Sequence, residues 1–302
     1  MDGKVMTLKE AIAKYVKEGD TVFFGGMRHA QPYAAIHEII RRRIGHLTVV
    51  PALTMGVNLL AGEGLVDKFK FATIPGLYER GTYSFAKARK NNTFPILEEY
   101  SHFGLCLALL AGQMGVPFMP TRTQVGSDML KYNPDIKVAA CPFTGQNIGV
   151  VRAINPNVGI IHVQRADAEG SFQKWGTLGM DREGVNASNH IIVTTEKIVD
   201  SDVIRRDPNR TMVPGIRVSA VVEEPWGAYP AHLAGYYNLA EADVNPEFST
   251  EEKYERYMKE FIYGVRDRRE FIEKVKAAKG QDYFERLRIQ QPVWAEPISY
   301  GY

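Results

Sequence analysis

The chain has 302 residues, with 37 Lys+Arg against 35 Asp+Glu and a formal charge of +2. Its apolar fraction of 45% and charged fraction of 24% are those of a globular protein with a sizeable core, in one large or two smaller domains. The balance excludes the basic excess of a nucleic-acid binder, and two cysteines, Cys106 and Cys141, exclude a disulfide framework and a four-thiolate zinc site.

A reducing, cytoplasmic setting is expected. The N-terminus carries charges every few residues and lacks the apolar stretch of a signal peptide. No run approaches the ~20 apolar residues of a membrane span. Residues 7–18 then read as an amphipathic helix. Leu8, Ile12 and Val16 share one face, and Thr7 with Glu10 has capping-box spacing. TVFFGG (21–26) reads as a buried strand ending in glycines. A helix over 32–43 begins at Pro32, buries Ile36, Ile39 and Ile40, and closes on the basic cluster Arg41–Arg43. Strands are predicted at 47–53, 69–74, 158–163, 190–196 and 216–224, and a helix at 99–115. Segment 75–95 has weak periodicity and reads as an excursion or partner-facing loop. Beyond about residue 249 the spacing of Tyr254, Met258, Phe261 and Ile262 predicts surface helices. Apolar strands alternating with helices predict an α/β fold, with an open, largely parallel sheet and helices on both faces.

Three constellations could carry chemistry. At Gly25, Gly26, Met27 and Arg28, two glycines follow a buried strand and allow close backbone approach to a ligand; a plain tight turn is the alternative. No nucleotide-binding glycine pattern is present. At the end of the strand over 158–163, Gln164, Arg165, Gln173 and Trp175 offer donors and a flat face where ligands of parallel sheets tend to lie. Trp175 as a core residue is the alternative. Glu98, Glu99 and His102 fall within one helical turn of the predicted helix, a carboxylate–imidazole set able to move protons, or simply a solvated helix start. The seven histidines show no metal-ligand spacing, so no metal is expected. His37 and His162 sit in apolar runs and read as core, and Cys106 lies on the apolar face of a helix. Spacing by itself ends at an α/β protein that binds a small anionic ligand.

A resemblance goes further. MTLKEAIAKYVKEGD, GGM and QPYAAIHEII, then EEYS, GVPFMP and IIHVQRADAEG with the following WG, resemble A (alpha) subunits of the class I CoA-transferase family, the group that includes glutaconate CoA-transferase. So do IVTTEKIVDSDVIRRDPNRTMVPG and PWGAYPAHLAGYY, in the same order over about residues 4–240. The resemblance implies the class I CoA-transferase fold, with residues 1–302 as one domain and a helical extension from about 249. It implies a partner B subunit, commonly in a dimer of AB pairs, and acyl-CoA and a carboxylic acid as substrates. Coenzyme A is then a substrate, with no permanently bound cofactor and no nucleic-acid or membrane partner.

In this family a glutamate of the B subunit, in a Ser-Glu-Asn-Gly-like motif, attacks the thioester. No Ser-Glu-Asn occurs here; Glu63 lies in AGEGL and Glu169 in AEGS. The transferase reading therefore places no catalytic residue on this chain. Its expected substrate contacts are Gly25, Gly26, Met27, Arg28, Ser101, Gln124, Gln164, Arg165 and Trp175. Met27 stands where the family commonly has Phe, and Arg28 is a chemically apt carboxylate partner. Some relatives are hydrolases acting on CoA-linked diketones through a glutamate of the alpha chain. In that reading Glu99 or Glu98, with His102, activates water. A third reading is a non-catalytic subunit that binds acyl-CoA.

Overall fold

The computed structural model describes residues 3–74, 76–77, 82–240 and 249–290. Twelve strands run in chain order: β1 (Thr21–Phe24), β2 (Leu47–Pro51), β3 (Val66–Phe71), β4 (Ile96–Glu99), β5 (Phe118–Thr121), β6 (Ile136–Ala140), β7 (Asn147–Arg152), β8 (Val158–Ala166), β9 (Phe172–Gln173), β10 (His190–Ile198), β11 (Thr211–Val213) and β12 (Ala220–Glu223). Seven form a parallel path, β12–β10–β8–β1–β2–β3–β4; β9 pairs antiparallel with the end of β8 and carries β11. The predicted α/β class with a largely parallel sheet holds.

Period-two alternation puts both faces of this sheet in apolar surroundings. Val22, Phe24, Val158, Ile160 and Ile192 join one core cluster; Phe23, Ile161, Val163, Ile191 and Val193 join the other. Helices Leu8–Tyr15, Tyr33–Arg42 and Val57–Gly62 cover the first face, and His102–Met114 with Asp181–Ala187 covers the second.

Local chemistry explains several boundaries. The Glu10 N–H donates to Thr7 Oγ1 (3.2 Å) and the Thr7 N–H to Glu10 Oε2 (2.9 Å), so the capping box forms. The helix stops at Tyr15, with Val16 already extended. Arg41 and Arg42 both pair with the buried Glu38, at 2.9 and 2.8 Å.

Five expectations are corrected. The strand expected at 69–74 is Val66–Phe71, and the one at 216–224 shortens to Ala220–Glu223 behind a 3-10 turn. Within 75–95 there is a helix, Tyr83–Lys90, whose Phe85 and Ala88 are buried; residues 75 and 78–81 lie outside the described residues. The helix expected from 99 starts at His102, because 96–99 pairs with β3 as β4. The C-terminal helices are not a surface appendage. Tyr254, Met258, Ile262, Phe271 and Phe284 are buried in the first core cluster, each worth about 1.5–3 kcal/mol relative to exposure. A separate antiparallel sheet, β5–β7–β6, has no counterpart among the expected elements.

Candidate active site

The chain leaves β1 for β2 on one side and leaves β8 for β10 on the other, so strand order reverses between β1 and β8. In open parallel sheets the crevice beyond the strand ends at such a reversal takes the ligand. Gly25–Arg28 follows β1 there, and Gln164–Arg165 ends β8.

The glycine loop is anchored almost residue by residue. A side chain on Gly25 would crowd Ile161 (3.1 Å) and Asp181 Oδ1 (3.2 Å), and Gly26 has φ +101°, with any Cβ only 2.7 Å from Gln31 Cα. Gly26 therefore needs glycine, while Gly25 sits in tight quarters against two side chains. The Gly26 N–H donates to Asp181 Oδ1 at 2.8 Å, and the other Asp181 oxygen pairs with Lys174. Both ionic side chains are fully buried. Thr54 Oγ1 meets the carbonyls of Phe24 and Gly25 at 2.9 Å each, Gln31 Oε1 accepts from the Met55 N–H (2.6 Å), and the Ala30 N–H donates to the His232 carbonyl (2.9 Å). Met27 packs against Gly179. Arg28 (φ +57°) and Ala30 (φ +54°) occupy the left-handed region although neither is glycine. Arg28 is exposed.

Across the crevice, Gln164 is a structural bolt: its amide donates to the carbonyls of Trp175 (2.9 Å) and Ala234 (3.2 Å). Arg165 donates to Gln173 Oε1 (2.7 Å). Gln173 is buried and donates in turn to the carbonyls of Ile204 and Asp207. Trp175 is half-buried, with the guanidinium groups of Arg165 and Arg210 at 5.5 and 5.2 Å from its ring. His29 is buried beside His232 and accepts from the Ala234 N–H at Nε2 (3.0 Å). Burial, with Lys174 nearby, pushes its pKa down to about 3, so the ring is neutral.

Ser101 and Gln124 meet at a second place on the same sheet edge. Ser101 caps the helix His102–Met114: its Oγ accepts from the Gly104 N–H (3.0 Å) and from Gln124 Nε2 (3.4 Å), with Thr123 Oγ1 at 3.3 Å. Gly104 makes room, since a Cβ there would collide with the Gln124 amide. Gln124 Oε1 is buried without a hydrogen-bond partner. This cluster follows β4, three strands and therefore ~14 Å from β1.

The expected acid–base set does not assemble. Glu98 is on β4, buried, and held by Lys68 (2.6 Å) and Lys70 (2.7 Å). Glu99 is exposed at the strand end and His102 is exposed at the helix start. No hydrogen bond among the described residues joins the two. Burial pushes the Cys106 thiol up, away from thiolate chemistry. Among the described residues no cluster of His, Cys, Asp or Glu is placed to hold a metal, and no helix is long and apolar enough to cross a membrane.

Sequence reasoning missed the Lys174–Asp181 pair, Thr54 and Gln31. Lys174 and Asp181 lie seven residues apart with no periodic signature.

Residues 5–224, most of the chain, match the coenzyme A transferase family. The chain belongs to the coenzyme A transferase family. It is 35% identical to the A chain of 3-oxoadipate CoA-transferase from Pseudomonas knackmussii, over 91% of this chain and 99% of that one. It is 31% identical to the A chain of glutaconate CoA-transferase from Acidaminococcus fermentans, over 91% of this chain and 93% of that one. The crystal structure of glutaconate coenzyme A-transferase from that organism superposes with a TM-score of 0.84, at 29% identity, covering 95% of this chain and 96% of the other. The family, the fold and the alpha-type chain expected from the sequence are thus shown.

Proposed function

We propose that this chain works with a B subunit that supplies a nucleophilic glutamate, and that the pair moves CoA between an acyl-CoA and a carboxylic acid. The observation that carries the division of labour is the state of Asp181. It is the buried carboxylate at the glycine loop, and both of its oxygens are taken, one by the Gly26 N–H and one by Lys174. A nucleophile needs a free carboxylate. Two further carboxylates are likewise committed: Glu98 to two lysines, and Glu63 to Lys87, Tyr254 and Tyr263.

In the proposed reaction the partner's carboxylate attacks the thioester carbonyl, the C–S bond breaks and CoA leaves as thiolate. The thiolate then attacks the glutamyl carbonyl of the resulting anhydride, which frees the first acid as a carboxylate. The acceptor acid reverses both steps. No atom is oxidised or reduced, and an anhydride is about as activated as a thioester, so the exchange runs both ways. This chain would wall the acyl pocket with Gly25, Gly26, Met27 and Arg28. Apolar residues at the surface support a covering partner. The helix His102–Met114 carries no Lys, Arg, Asp or Glu, and Phe103 (56%), Met114 (59%) and Phe118 (49%) are well exposed.

The test is exchange by the purified pair. Ping-pong kinetics and hydroxylamine trapping on the partner's glutamate are expected. CoA exchange by this chain alone would overturn the assignment. A hydrolytic reading has one observation in its favour, the exposed carboxylate of Glu99 on the strand edge next to Ser101. Under that reading Glu99→Ala abolishes turnover; under the proposed one it does not.

A further inference from the structure

We infer a second ligand site apart from the glycine loop: a cavity between two helix starts that binds a phosphate-type oxyanion. It lies at the far end of the parallel sheet, where β12 ends at Glu223 and Glu224 follows, three strands and therefore ~14 Å from β1. The cavity measures about 470 Å³. Its walls are the first turn of the helix Leu8–Tyr15, Glu38 and Arg41 of the helix Tyr33–Arg42, and the first turn of a C-terminal helix, Arg268–Lys279. Two helix starts that border one space bring unpaired N–H groups and positive dipole ends to it.

The side chains add charge that nothing else uses. Arg41 is nine-tenths buried, and its Nη1 has no hydrogen-bond partner. Lys9 and Arg269 are exposed on the wall and form no ion pair with the described residues. Arg268 is buried, yet the carbonyls of Trp226 and Tyr229 hold it rather than a carboxylate. Three of the four carboxylates on the wall are committed: Glu38 to Arg41 and Arg42, Glu223 to the Ile198 N–H, and Asp267 to the Glu270 N–H. The fourth, Glu224, makes no hydrogen bond or ion pair with the described residues. Burial pushes its carboxyl up to about 7, with Asp267 and Glu38 adding and Arg268 and Arg41 opposing. Protonated, it is a further donor instead of a repelling charge. Donors from three elements suit a tetrahedral oxyanion, which accepts from several directions, better than a planar carboxylate.

The site reaches the glycine loop through the backbone. The segment that Arg268 grips at Trp226 and Tyr229 goes on to give its His232 carbonyl to the Ala30 N–H and its Ala234 N–H to His29. An anion held by Arg41 and Glu224 at the start of the C-terminal helix ties that helix to the segment lying on the loop.

The test is calorimetric titration of the full chain with inorganic phosphate and with sulfate, at constant ionic strength and against chloride. One site per chain with a dissociation constant of about 1 mM or tighter is expected, and the melting temperature should climb with the logarithm of the phosphate concentration. Lys9→Gln combined with Arg269→Gln alters two exposed side chains, so the fold survives, and it should weaken binding by about 10- to 100-fold. Arg41→Gln should do the same. Sulfate keeps its charge across neutrality, so its affinity should fall as pH rises through about 7, and Glu224→Gln should remove that fall. Amide exchange at Ala30 and Ala234 should slow on binding. No binding above the chloride control would overturn the inference. So would binding that survives both the double variant and Arg41→Gln. Displacement of phosphate by adenosine 3′,5′-bisphosphate, the nucleotide end of CoA, would place the substrate's own tail in the cavity and overturn a separate site.

Discussion

The two places where candidate residues gather on the sheet edge are built differently. At the glycine loop the backbone is tied down by short hydrogen bonds and by a fully buried Lys174–Asp181 pair that accepts the Gly26 N–H, with His29 Nδ1 the buried polar atom left without a partner. At the Ser101 cluster the side chain-to-side chain contacts of Ser101 are long (3.3–3.4 Å), its helix-cap bond to the Gly104 N–H is 3.0 Å, and Gln124 Oε1 has no partner. The first is a fixed surface whose geometry is set before any ligand arrives. The second keeps polar capacity in reserve and can change partners at small cost. A buried ion pair contributes little net stability over apolar residues of the same volume, but breaking it is expensive. Its presence beneath a glycine loop points to positioning.

That contrast can be broken. The largest effect is expected from Lys174→Met, which strands the Asp181 charge. Unfolding free energy should fall by about 3–5 kcal/mol, read by denaturant titration, and Gly26 should lose its register. Gly26→Ala comes next, at about 2–4 kcal/mol, because it combines positive φ with a clash against the Gln31 backbone. If either substitution were tolerated within about 1 kcal/mol, the loop would not be a rigid element.

A pH series sharpens the difference further. The segment after β12 supplies the His232 carbonyl and the Ala234 N–H to the glycine loop, and it begins at Glu224. Burial pushes the Glu224 carboxyl up to about 7, with Asp267 adding and Arg268 and Arg41 opposing. A carboxyl raised in the folded state favours the protonated protein. Its contribution is present below about 4.5 and is lost as pH rises towards 7. His29 acts in the opposite sense: its pKa is lowered to about 3, so its contribution is lost as pH falls below 6.5. The two slopes offset each other between 4.5 and 6.5. Glu224→Gln should uncover the slope of the buried histidines, His29 with His37 and His232, whose pKa values burial lowers too, giving stability that rises steadily with pH across that window in thermal melts. A flat profile in the variant would show that these histidines are not buried neutral.

Smaller effects belong to the second place. Ser101→Ala removes a helix cap and should cost about 1 kcal/mol. Gln124→Leu removes an amide whose oxygen is already unsatisfied. It should change stability by less than about 1 kcal/mol in either direction. A large loss there would mean that the cluster is as tightly built as the glycine loop.

Much of the frame was legible because its signals are local. Continuous apolar runs gave β1, β8 and β10, and Thr7 with Glu10 marked the first helix start. The β4 strand was not legible, since ILEE carries two acids. Glu98 can be buried there only because Lys68 and Lys70 arrive from the neighbouring strand. The β5–β7–β6 sheet escaped for a related reason. Only Ile136 of the five β6 residues is buried, so alternation had no apolar face to reveal. The glycine loop was visible as two glycines after a strand, but its anchors come from residues 54, 174 and 181 and are a product of the tertiary fold. Ser101 and Gln124 came from the family resemblance, because nothing in their spacing brings them together.

The buried His29 has a consequence for lifetime. With Nε2 accepting from the Ala234 N–H, the neutral ring carries its hydrogen on Nδ1 and its one basic nitrogen is already occupied. An acyl-glutamyl anhydride survives only while nothing nearby turns water into hydroxide. In the proposed transfer reaction an imidazole occupied in this way would not draw a proton from water, which would favour passing the acyl group on over losing it to solvent.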